Sequence, residues 1–171
     1  MELLDLYEFD RTKTGATIVR GDLPPYDGRY TVIHICIFDE KGNMLIQKRS
    51  SDKKSWPDKW DVSVGGAVIS GETSGEAASR ELFEELGIMA YLNKTPPALS
   101  ICSEHCFDDY YIIVGKPVLE ELTLQKDEVS EVRLASKAEV FTLLREGEFV
   151  PYKEGVIELL FDMVKSYGAL K

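Results

Sequence analysis

The sequence is short of cysteine and of positive charge, and it has no long apolar run. Its 171 residues hold three cysteines, Cys36, Cys102 and Cys106, too few and too scattered for a disulfide framework. Twenty Lys and Arg face thirty Asp and Glu, for a formal net charge of −10. A nucleic acid polymer is therefore not an expected partner, since counterion release needs clustered cations. No stretch approaches the roughly 18 apolar residues of a membrane span, so no membrane partner is expected. Met1–Asp5 lacks a basic n-region, so no secretory signal is read and a cytoplasmic location is expected. What remains is ordinary for a globular chain: 44% hydrophobic and 29% charged residues. Residues 1–171 are read as one domain, long enough to bury roughly 70% of the unfolded surface.

Residues 1–29 read as an N-terminal extended or hairpin segment, with Leu3–Tyr7 and Ala16–Val19 flanking a polar turn. Tyr30–Phe38 is a nearly continuous apolar run, as in a strand buried on both faces. Asp39–Asn43 is a turn and Met44–Lys48 its return strand. Trp60–Val64 is a short strand, and Gly65–Ile69 leads into the strongest helix signal. Thr73 and Glu76 have capping-box spacing, and Gly87 stands where a left-handed residue ends a helix. Leu99–Cys102, Tyr110–Val114 and Val132–Leu134 are further strand candidates. Helices are expected over about 137–145 and 152–166. Strands, helix, strands, helices: this order predicts an α/β fold with a mixed sheet covered by helices.

On a helical wheel with Arg80 at 0°, Glu84 lies at about 40°, Glu81 at about 100° and Glu85 at about 140°. Ala78, Leu82 and Leu86 fill the neighbouring arc and form a packing stripe. Three carboxylates and one guanidinium thus share a face. A solvated acidic face accounts for Glu76 near the helix N-terminus, but poorly for Glu84 and Glu85 in the last turn, where the dipole opposes them. A hard divalent cation, Mg²⁺ or alternatively Mn²⁺, would relieve the repulsion among converging carboxylates.

Gly66, Glu72, Arg80, Glu81, Leu82, Glu84, Glu85, Gly87 and Ile88 match the Nudix box, G-x5-E-x7-R-E-U-x-E-E-x-G-U, at every position. A chance match in a chain of this length has a probability on the order of 10⁻⁷. The chain therefore resembles the Nudix hydrolases. That resemblance implies an α/β/α sandwich in which residues 66–88 form a catalytic loop–helix–loop. It implies a Mg²⁺-dependent pyrophosphohydrolase acting on a small-molecule diphosphate, a nucleoside diphosphate derivative being the class typical of the family. Carried onto this sequence, it makes Glu81, Glu84 and Glu85 metal ligands, with the Gly66 carbonyl as a further one. Arg80 would orient a box glutamate and Glu72 would hold the loop. Glu85, Glu81 and Glu128 are all candidates for the base. Arg49 and Lys53, flanking the loop after the return strand, are the expected phosphate cations, and Trp56 the expected stacking surface.

Gln47–Pro57 and Trp60–Gly66 further resemble the isopentenyl-diphosphate isomerase branch. Where the isomerases carry a catalytic Cys, then Gly, then a metal-binding His, this chain has Gly65, Gly66 and Ala67, and Tyr30 replaces another His. The reading is a hydrolase of the isomerase-like subgroup, with an isomerase or a non-catalytic Nudix-fold binding module as the alternatives. A homodimer is left open. Cys102, His105 and Cys106 lack a usual zinc spacing and are read as a strand end and loop. His34 is expected to be a hydrogen-bonded core residue, and one of Tyr110 and Tyr111 a core residue.

Overall fold

The computed structural model describes residues 2–25, 27–165 and 168. Its strands are β1 (Leu3–Tyr7), β2 (Lys13–Val19), β3 (Tyr30–Phe38), β4 (Met44–Arg49), β5 (Trp60–Asp61), β6 (Val64–Ala67), β7 (Leu99–Cys102), β8 (Cys106–Val114) and β9 (Val129–Ala135). Its helices are α1 (Ser74–Leu86), α2 (Lys137–Arg145) and α3 (Glu154–Met163).

β3 organises the main sheet. Its period-2 alternation sends Ile33, Ile35 and Ile37 to one face, where they pack with Ala77, Ala78, Leu82 and Leu86 of α1. Cys36 and Phe38 face the other way, against Val140 of α2 and Ile157, Leu160 and Phe161 of α3. The result is an α/β/α sandwich around a mixed sheet. β8 runs parallel to β3 over its whole length, from Tyr30 opposite Cys106 to Phe38 opposite Val114. β7 closes that edge, antiparallel to β8.

On its other edge β3 is shared. β4 pairs with it only at Ile37–Leu45 and Phe38–Met44, and then diverges. The chain from residue 60 to 67 fills the fork: β5 pairs with β4, and β6 pairs with β3 from Val32–Ala67 to Ile35–Val64. Ser63 stitches the fork, its hydroxyl accepting from the Ile37 N–H and donating to the Leu45 carbonyl. β9 flanks β4 along Met44–Arg49.

Several boundaries differ from the sequence expectation. The expected strand over 60–64 is two strands separated at Val62–Ser63, because the segment changes partner there. Gly65 and Gly66, read only as part of the lead into the helix, belong to β6. β8 begins at Cys106 and β9 at Val129, both lengthened by continuous neighbours. α3 begins at Glu154 rather than 152, since Tyr152 is extended and points its hydroxyl into the fork. The expected helix end at Ser166 lies outside the described residues. β1 and β2 form the expected hairpin, which is a separate two-stranded sheet. It docks on the loop before α1: Ser70 donates its N–H to the Leu3 carbonyl and its hydroxyl to Asp5, which also accepts from the Gly71 N–H. No described helix is long and apolar enough to cross a membrane.

Candidate active site

α1 starts and stops where its local chemistry dictates. The Thr73 side chain accepts from the Glu76 N–H while Glu76 accepts from the Thr73 N–H, a complete capping box. Gly87, at φ 72°, ends the helix in the left-handed region that a Cβ disfavours. Between these stops Arg80, Glu81, Glu84 and Glu85 project toward β6 and β4.

Arg80 is the hub. It donates from Nε and Nη2 to the two oxygens of Glu72 at 2.8 and 3.0 Å, from Nη1 to Glu81 at 2.8 Å and Glu84 at 3.0 Å, and from Nη2 to the Ala67 carbonyl at 3.2 Å. Fork-to-fork pairing of this kind fixes orientation as well as supplying energy. The Glu72 bonds foremost push the Arg80 guanidinium further into its charged form. Glu81 is buried against β6, and a Cβ on Gly66 would overlap its carboxyl group. Glycine at 66 is thus the condition for Glu81 to lie on the strand.

Glu85 is 3% exposed and accepts a 2.9 Å hydrogen bond from Gln47 Nε2 on β4. Burial, then the nearby Glu81 carboxylate, pushes its acid form up to about 8, against the pull of Gln47 and Lys53. Burial also raises Glu81, opposed by Arg80. Glu84 is more open, its side chain 47% exposed. The Gln47 Oε1 atom is buried without a partner beside this cluster.

The basic loop comes to the same place. Lys53 forms an ion pair with Glu128, and the Ser50 N–H bonds the Glu128 carbonyl, so the loop after β4 is latched to the segment before β9. Burial lowers the Lys53 ammonium, reinforced by the like charge of Arg49 and countered by Glu85 and Glu81. Arg49 donates from Nη1 to Asp61 at 3.0 Å and from Nε to the Ser55 carbonyl at 3.0 Å. Lys53 and Glu128 are therefore brought beside the box, with Arg49 next to Lys53.

Trp56 behaves differently. It is half exposed, at φ 51°, and no described contact joins it to the carboxylates. Tyr110 and Tyr111 are both buried in the core, where only one was expected, since β8 is covered on both faces. His34 is hydrogen-bonded, as expected, to Asp108 and Tyr152. A cavity of about 390 Å³ on the outer side of α1, lined by Ser79, Phe83, Met89 and Tyr91 among others, includes neither Glu81 nor Glu85 in its walls.

Gln47, Asp61 and Arg20 were not singled out from sequence. Asp61 had only a faint signal, a charge set between Trp60 and Val62, and Gln47, followed by Lys48 and Arg49, had none. Arg20 had none: it sits just beyond β2, and its charge acts on both Glu81 and Lys53.

Among the described residues, no three of His, Cys, Asp and Glu converge closely enough in this arrangement to hold a metal ion. Arg80 and Gln47 occupy the carboxylates instead. The donor chemistry nonetheless fits a hard divalent cation: two buried carboxylates, with Glu85 raised by its burial and then by Glu81, an orphaned amide oxygen, and no soft ligand among them.

Comparison with known proteins identifies the family. The NUDIX domain model matches residues 28–159. An uncharacterized Nudix hydrolase of Listeria monocytogenes is 47% identical over 152 residues, covering 89% of this chain and 90% of the relative. A prenyl-diphosphate phosphatase of Methanosarcina mazei is 29% identical over 153 residues, covering 80% and 88% of the two chains. The crystal structure of DR0079 from Deinococcus radiodurans superposes with a TM-score of 0.75 at 27% identity, covering 93% of this chain and 97% of that one. Nudix hydrolases are generally dependent on a divalent metal. The chain belongs to the Nudix hydrolase family, whose members hydrolyse pyrophosphate bonds of small molecules.

Proposed function

We propose that this chain is a Mg²⁺-dependent hydrolase of an organic diphosphate, with a nucleoside diphosphate derivative as the leading substrate class. The observation that carries the reading is the intact box organised around Arg80, with Glu81 seated on a strand position that only glycine leaves open. Glu81, Glu84, Glu85 and the Gly66 carbonyl would hold the cation. When bound, Mg²⁺ supplies charge neutralisation at the phosphoryl oxygens and a more acidic attacking water. The protein's own residues do the rest. Arg80 keeps Glu81 and Glu84 oriented. Arg49 and Lys53 would draw the diphosphate to the acidic site, Arg49 with a planar fork and Lys53 as a point charge. Glu85, Glu81 and Glu128 are the candidates for the base, the first two buried on α1 and the third paired with Lys53.

We further infer that it belongs to the isomerase-like subgroup while lacking isomerase activity. A double-bond shift needs a proton donor and acceptor on opposite faces of the alkene, and glycine replaces the Cys at position 65. The likeness to a prenyl-diphosphate phosphatase favours a second substrate class, isoprenoid diphosphates.

A phosphatase-coupled screen with Mg²⁺ across nucleoside di- and triphosphates, nucleotide sugars, dinucleoside polyphosphates and isoprenoid diphosphates tests both. Release in one class that disappears in Glu84→Gln and Glu85→Gln proteins is the expected result. Near-normal rates in both variants would overturn the metal site.

A further inference from the structure

The fork between β3 and β4 holds a chain of polar side chains that the box does not use. It begins at Arg49, whose Nη1 donates to Asp61 Oδ2 at 3.0 Å. Asp61 is 5% exposed and lies opposite Gln47, the residue that donates to Glu85. Its other oxygen accepts from the Val62 N–H at 2.8 Å and from the Tyr152 hydroxyl at 2.8 Å. Behind Tyr152 stands His34, with Nδ1 3.2 Å from the hydroxyl and Nε2 3.0 Å from Asp108. The imidazole is stacked on Tyr110 with ring centroids 4.6 Å apart. Asp108 is itself held by the Ser103 hydroxyl.

Donor and acceptor roles give this chain a direction. Asp61 offers only acceptor atoms to the arginine and to its own backbone neighbour, so the Tyr152 proton points to Asp61. The tyrosine oxygen also meets His34 Nδ1 at 3.2 Å, a link whose direction is set by the imidazole tautomer. Every link pushes Asp61 into one rotamer, and Asp61 with the Ser55 carbonyl holds Arg49 in one orientation. Two of the five guanidinium N–H groups are committed in this way, and the remaining three have no described partner. A planar cation so fixed, next to Lys53, whose ammonium feels both Glu85 and Glu81, is pre-organised for bidentate contact with a phosphate.

We propose that Tyr152 and Asp61, backed by His34, are positioning residues that set the phosphate-gripping geometry of Arg49. The inference rests on the reading of this site as a diphosphate site. It assigns a functional task to a residue just before α3, far in sequence from the box and on the opposite side of the sheet from α1.

Calorimetric titration of inorganic pyrophosphate with Mg²⁺ into the full-length chain tests it. Tyr152→Phe keeps the ring that packs in the core and removes only the hydroxyl, and Asp61→Asn keeps the shape and removes the charge. Each is expected to weaken pyrophosphate about five- to tenfold, the consequence of losing one support hydrogen bond. In an Arg49→Ala background Tyr152→Phe should have no further effect on affinity, since its influence passes through that arginine. A purely structural tyrosine would lower the melting temperature in both backgrounds without changing affinity, and that result overturns the proposal. If Arg49→Ala weakens binding while Tyr152→Phe and Asp61→Asn do not, the positioning role fails and the diphosphate reading stands. Should the wild-type chain bind no pyrophosphate at millimolar concentration, or Arg49→Ala bind as well as wild type, the diphosphate role of Arg49 falls, and the positioning role with it.

Discussion

Gly66 matters through an atom it lacks. The Glu81 carboxyl group occupies the space of its missing Cβ, while Arg80 and the burial of Glu81 leave that side chain little room to retreat. Gly66→Ala should leave the sheet paired, because β6 meets β3 through backbone groups. The carboxylate, however, must swing away from the strand. Steady-state turnover is expected to fall about 10²-fold, the scale of a reactive group misplaced by about 1 Å. Circular dichroism should stay near wild type, and a Gly66→Ala protein of normal activity would show that Glu81 does not need this seat. Residues of this kind were legible in the sequence, because box spacing is local: Glu72, Arg80, Glu81, Glu84 and Glu85 meet through one loop and one helix. Gln47, Asp61 and Tyr152 were not. Their roles depend on the fork between β3 and β4, which joins positions 47, 61 and 152 that no periodicity connects.

Among elements, α1 was legible to the residue at both ends, since its cap and its terminal glycine act through their own neighbours. β6 was not, because a Gly-Gly pair is a poor strand former and pairs only when β3 offers a free edge. The N-terminal hairpin shows how an added element secures the core. Arg11 donates to both oxygens of Asp109 on β8 at 2.9 and 2.8 Å, and Asp109 is 1% exposed. Burial works to raise the Asp109 carboxyl, but hydrogen bonds from Arg11, Ser100 and Ser74 outweigh it and hold it below its ordinary value. A carboxyl depressed in the folded state contributes stability above its unfolded value and loses it as pH falls through the folded one. Arg11→Ala leaves a buried carboxylate with weaker support and should destabilise the chain by about 2 kcal/mol in urea unfolding at neutral pH. The gap from wild type should narrow as pH falls from the ordinary aspartate value of about 4 through the depressed folded one, and close only where Asp109 is protonated in both proteins. A gap independent of pH would mean that Arg11 acts through packing on Phe107, over whose ring it also lies.

At the scale of the whole molecule, the chain is acidic and encloses carboxylates it has no cation of its own to neutralise fully. The net charge is −10, yet Arg80 serves Glu72, Glu81 and Glu84, and Glu85 is left with an amide partner. Glu85 is raised from 4.5 to about 8 in the folded chain, so between those values the folded state holds a proton that the unfolded state releases. That contribution to stability is fully present below the unfolded value and is lost as pH rises through the folded one. Without divalent cations the melting temperature of the wild type should therefore fall, relative to Glu85→Gln, as pH is raised from 5 to 8, because glutamine is neutral throughout and keeps the Gln47 contact. A cation bound at Glu85 displaces the proton, so its affinity should increase over the same range with release of a proton. Mg²⁺ at pH 8 should then raise the wild-type melting temperature and leave that of Glu85→Gln nearly unchanged, since a ligand stabilises only the state that binds it. Differential scanning fluorimetry at pH 5 and pH 8, with chelator and with Mg²⁺, gives all four comparisons. Parallel pH curves for the two proteins in chelator would show that Glu85 is ionised without metal. An equal Mg²⁺ shift in both would place the cation elsewhere. On the proposed assignment, instability of the empty site and affinity for the ion would be two consequences of placing the same buried carboxylate at the metal, the first tolerated because the second accompanies function.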